Sequence, residues 1–139
     1  IRKRIDGARI KNGPKSIFDR PARLVPSTMR TVAERRYGDA QVLVKSGDAE
    51  RAHGAAYMAG LTVEILLKAK LVDKYGDGRN TPKISNLIWQ SHKLQEMLDQ
   101  LPELEASLRK MSERGVYNYL NELKKLCAKW TIYALYFSL

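Results

Sequence analysis

The chain has 139 residues, 44% of them hydrophobic and 29% charged, with a net charge of +10. One domain with a self-sufficient core fits this length and composition. Cys127 is the only cysteine, which excludes an intrachain disulfide and suits a reducing compartment. No apolar run approaches the roughly 18 residues that cross a bilayer, so a cytoplasmic protein is expected.

Residues 1–26 hold eight Lys or Arg against two Asp, and so carry most of the net charge. Gly7, Gly13, Pro14, Pro21 and Pro26 interrupt this stretch. Such breakers among like charges indicate a basic arm, followed by a helical bundle over 27–139. Arg2, Lys3, Arg4, Arg9, Lys11 and Lys15 are candidate contacts to the phosphates of a nucleic acid. The alternative for them is a solvated tail.

Ser27 is a good N-cap, and Ser46-Gly47 a good stop, for a first helix through "TMRTVAERRYGDAQVLVKS". Val32, Arg36, Asp39 or Ala40, and Leu43 fall near one face of it. A second, long helix is expected from Asp48 to Tyr75, with Gly76 ending it. Its first half is small (Ala52, Gly54, Ala55, Ala56, Ala59, Gly60) and its second half bulky (Val63, Ile65, Leu66, Leu67, Leu71). A helix apolar nearly all round belongs at the centre of a fold.

Glu64 is the anomaly in that helix, an acid inside "TVEILL". A buried carboxylate is costly unless paired. Lys68 stands four residues on, in the favourable order for a helical pair. Glu64 is either satisfied locally by Lys68 or orients a His or Arg from another helix at a cleft.

Thr81-Pro82 predicts the start of a short helix reaching Trp89. Ser91 is a candidate cap for "HKLQEMLDQL", which places His92 at a helix start and makes it the candidate partner of Glu64. There a helix dipole favours neutral imidazole, a possible base or hydrogen-bonding group. His53 is expected to be structural or exposed. Pro102 opens a helix that Gly115 closes. A last helix from Val116 puts Tyr119, Leu120, Leu123, Leu126, Cys127 and Trp130 near one stripe. The terminal aromatics Tyr117, Tyr119, Trp130, Tyr133, Tyr136 and Phe137 suit a core or an interface more than base stacking.

The predicted fold is all-α: an up-and-down bundle of four long helices with one or two short ones. No strand, phosphate-binding loop, nucleophile elbow or metal-ligand spacing is visible, and no metal or cofactor is expected.

"AHGAAYMAGLTVEILLKAKL", "SHKLQEMLDQL" and "LKKLCAKWTIYALYFSL" together resemble the HEPN family (higher eukaryotes and prokaryotes nucleotide-binding). The matching residues are Gly60, Glu64, Leu67, Lys68, His92, Leu94, Trp130 and Tyr136, over roughly residues 30–139. The resemblance implies a helical bundle, commonly homodimeric. Some members are RNases of toxin–antitoxin or defence systems; others are binding modules beside a nucleotidyltransferase-type partner. The RNases carry an Arg followed by a His after four to six residues. Neither His53 nor His92 has that Arg, and Leu135 stands where an Arg precedes Tyr136.

The expectation is therefore a non-catalytic or degenerate module that binds RNA, a nucleotide or a protein partner. Glu64, Lys68, His92 and Tyr57 are the candidate ligand-binding residues. A divergent metal-independent endoribonuclease using His92 and a structural dimerisation domain are the alternatives.

Overall fold

A computed structural model of the chain describes residues 23–76, 81–115 and 118–131. Six α-helices make up most of it, and the described residues contain no strand: α1 Pro26–Lys45, α2 Ala52–Tyr75, α3 Pro82–Trp89, α4 Leu94–Asp99, α5 Pro102–Glu113 and α6 Tyr119–Lys129. A single 3-10 turn, Ala49–Arg51, leads into α2.

The helix boundaries follow local chemistry. Pro26, Pro82 and Pro102 occupy first-turn positions, where a missing N–H costs nothing. Gly76 and Gly115 end helices at φ of 71° and 78°, a backbone region that side chains with a Cβ avoid. Three starts differ from the sequence expectation. Helix α1 begins two residues early, with Val25 rather than Ser27 at the cap. Asp48 caps the 3-10 turn by accepting from Glu50 N at 2.9 Å, so α2 itself starts only at Ala52. Ser91 accepts from Lys93 N at 3.1 Å, and this turn delays α4 to Leu94.

Helix α2 is the hub. It lies along α1 over their most extensive contact and also touches α3 and α4. The inner face of α1 is Met29, Ala33 and Ala40, while Val32, Arg36 and Leu43 are only half-buried. These small residues let the two helices approach closely; a Cβ added to Gly54 would meet Leu43 at 3.3 Å.

The core gathers on the other side of α2. Leu71, Leu87, Leu94, Met97 and Leu98 are its largest fully buried side chains, and burying each contributes about 1.5–3 kcal/mol. Leu123, Leu126 and Trp130 of the α6 region pack against it, with Cys127 inside. Tyr119, expected on that stripe, is instead 48% exposed. Leu24 already packs on the core, just ahead of α1. The basic residues Arg2 to Lys15 of the arm, and the terminal run 132–139, lie outside the described residues.

Candidate functional site

The stripe Ala56–Gly60–Glu64–Lys68 runs along α2 at four-residue intervals, so its members stack on one side of the helix. Glu64 is 3% exposed. Its carboxylate is nonetheless satisfied twice. Lys68 Nζ lies 3.1 Å from Oε2, in the predicted local pair. His92 Nδ1 lies 2.9 Å from Oε1 and 3.1 Å from Oε2. Both of the partners considered for Glu64 are therefore present at once: the lysine one turn on, and a histidine from another part of the chain.

A carboxylate only accepts hydrogen bonds, so Nδ1 of His92 carries the proton shared with Glu64. In the neutral ring the lone pair then resides on Nε2. Glu64 thereby fixes both the orientation and the tautomer of a side chain that is 46% exposed. His92 does not stand in a helix, however. It sits in the turn ahead of α4, one residue before the N-cap Lys93. The contact to Glu64, rather than a first-turn position, governs its orientation.

Trp130, just beyond α6, closes the other end of the stripe. Its indole N–H donates to the carbonyl of Ala56 at 3.2 Å. The ring sits so close to Gly60 that a Cβ there would overlap it. Tyr57 faces the same indole, with ring centroids 6.2 Å apart and planes tilted by 36°. Tyr57 thus joins the site through Trp130. It lies two helical turns from Glu64, roughly 10 Å along the axis.

His92 and Trp130 share a cleft of about 800 Å³. Asn86, Gln90 and Gln95 line it with amides. That volume is within the range of roughly 300–1,000 Å³ typical of small-ligand sites. The amides and the cleft are not legible in the sequence, because α3, α4 and α6 come to line one cleft only in the fold. Gly60 and Trp130 did stand out there, but separately, and nothing signalled that one seats on the other.

Cys127 also lines the cleft, but not as a nucleophile. Burial, and secondarily the charge of Asp99, push its thiol up to about 11, so it stays protonated at neutral pH. His53 is three turns from Glu64, roughly 16 Å along α2. It is half-buried, with Nε2 unpartnered among the described residues. No group of three or more His, Cys, Asp or Glu is placed to hold a metal among the described residues. No described helix is long and apolar enough to cross a membrane.

Comparison of the chain with family models, with curated proteins and with solved structures finds no match in any of the three.

Proposed function

We propose that the chain is a HEPN-like, up-and-down helical bundle that binds RNA or a nucleotide at the His92 cleft, as a non-catalytic module of a toxin–antitoxin or defence-type system. The contact between Glu64 and His92 Nδ1, 2.9 Å, carries this reading. A buried carboxylate held by both Lys68 and His92 gives the exposed ring one orientation and one tautomer. An imidazole fixed in that way can hydrogen-bond the edge of a base through Nε2, while the indole of Trp130 and the amides of the cleft offer stacking and edge contacts. Homodimerisation and a nucleotidyltransferase-type partner in the cytoplasm belong to the same reading, and rest on the resemblance alone.

The test is fluorescence anisotropy with single-stranded RNA and with ATP. His92→Ala should weaken binding about tenfold or more in a chain that still melts cooperatively, and Glu64→Gln should weaken it less. Equal binding by wild type and His92→Ala removes the cleft from the reading.

One observation favours a second reading. A carboxylate that orients an imidazole through Nδ1 is also what a general base requires. A divergent endoribonuclease would cleave RNA without metal and lose that activity in His92→Ala. The missing Arg before either histidine argues for no such cleavage.

A further inference from the structure

The opposite side of α2 carries a different feature. Leu66 and Lys70 lie two residues from Glu64 and Lys68 respectively, hence about 200° around the helix from them. Val63, Leu66 and Lys70 recur there at helical spacing, with Leu104 of α5 and Leu123 of α6 opposite. Together they enclose a pocket of about 260 Å³ whose wall is almost wholly carbon. Leu66 remains 40% exposed at its mouth.

Two cations line this pocket, Arg30 from α1 and Lys70. Arg30 is held by Asp73 at 3.3 Å. Lys70 makes no ion pair with any described residue. A neighbouring hollow of about 400 Å³ shares Lys70 and Leu104 with the apolar pocket. Its acids are already matched: Glu103 to Lys74 at 2.7 Å, and Asp73 to Arg30. The groove therefore presents carbon at one end and a spare positive charge beside it.

We infer that this groove docks an acidic amphipathic helix of a partner protein. One aliphatic or aromatic side chain of that helix fills the pocket, and a carboxylate one turn away meets Lys70. Size selects the occupant first. The pocket lies below the roughly 300–1,000 Å³ of small-ligand sites, but suits one anchoring side chain. The walls are helices with no open sheet edge among the described residues, so a helix laid into a groove is the applicable binding mode. An anchor and a carboxylate four residues apart fall on one helical face. Charge selects next. The chain's net charge of +10 attracts an acidic partner and disfavours both a second copy and its own basic arm as occupants.

The test titrates the full chain with a hydrocarbon-stapled helical peptide that presents Leu and Glu at i and i+4. The controls replace that Leu by Ala, or scramble the sequence at constant charge. Binding should require the Leu. Lys70→Glu should weaken it about tenfold, and a peptide with Lys in place of Glu should recover affinity for Lys70→Glu. His92-dependent binding of RNA should be untouched by Lys70→Glu, which separates this inference from the proposed function. Equal affinity for the scrambled peptide, or indifference to Lys70→Glu, overturns the inference. So does binding that appears only after removal of residues 1–22, which would make the arm the occupant. Loss of a dimer in sedimentation on Leu66→Lys would assign the groove to a second copy instead.

Discussion

At the scale of single residues, Glu64 and Lys68 are not equivalent halves of a pair. Glu64 is buried and Lys68 is nearly so, while His92 stands half in solvent. Replacing Lys68 by Met leaves a buried carboxylate with one partner instead of two. The cost should be about 1–3 kcal/mol, short of the value for a fully stranded charge because His92 remains. Replacing Glu64 by Leu leaves Lys68 free to extend its amine towards water. Chemical denaturation should therefore rank Lys68→Met below Glu64→Leu in stability; the reverse order would show that Lys68 does not hold the carboxylate. Cys127 gives a dependence on pH. Its thiol is raised in the folded state to about 11 from an ordinary 9.0. The unfolded chain thus releases this proton first as pH rises. The stability contributed by the protonated thiol is complete below pH 9 and is lost as pH climbs towards 11. Cys127→Ala should flatten that part of the stability profile, and thiol reagents should react slowly with the folded protein at pH 8.

At the scale of elements, the seating of Trp130 on Gly60 ties the end of α6 to the first half of α2. In an exposed helix, Gly→Ala stabilises by roughly 0.5–1 kcal/mol. At Gly60 the new methyl would overlap the indole, so overpacking of about 1–3 kcal/mol decides the sign, and Gly60→Ala should destabilise. With Trp130→Ala already in place, the same change should stabilise. A double-mutant cycle by thermal melting reads this reversal, and additivity of the two changes would show that the ring does not rest there. Such a contact explains what was legible. Breakers act locally, so Pro26, Pro82, Pro102, Gly76 and Gly115 mark their ends in the sequence itself. Glu64 was conspicuous because an acid in an apolar run demands a partner. The turn at Ser91 looks like a cap in the sequence because a serine hydroxyl serves a turn and a helix start by the same hydrogen bond. Tyr119 faces out because the buried stripe of α6 is centred on Leu120, Leu123 and Cys127, which leaves Tyr119 at its edge.

At the scale of the whole molecule, positive charge is concentrated towards one end of the chain. Residues 1–22 hold seven Lys or Arg and two Asp, and Leu24 is the first of the described residues that packs on the core. Association with a polyanion should then have two parts: a sequence-independent attraction from the arm and a His92-dependent contact at the cleft. If about four arm side chains meet phosphates of single-stranded RNA, log K should fall with log salt at a slope near −3. Removing residues 1–22 spares Leu24 and should flatten the slope while leaving the melting temperature nearly unchanged. His92→Ala should do the converse, lowering affinity at every salt concentration while preserving the slope, because an imidazole that bonds a base edge releases no counterion. Anisotropy titrations at several salt concentrations on the two variants separate these terms. A slope that survives the deletion would move the phosphate contacts onto the helices. A truncated chain that no longer melts cooperatively would mean that the first 22 residues contribute to the core, and that their basic residues are ordinary surface charge.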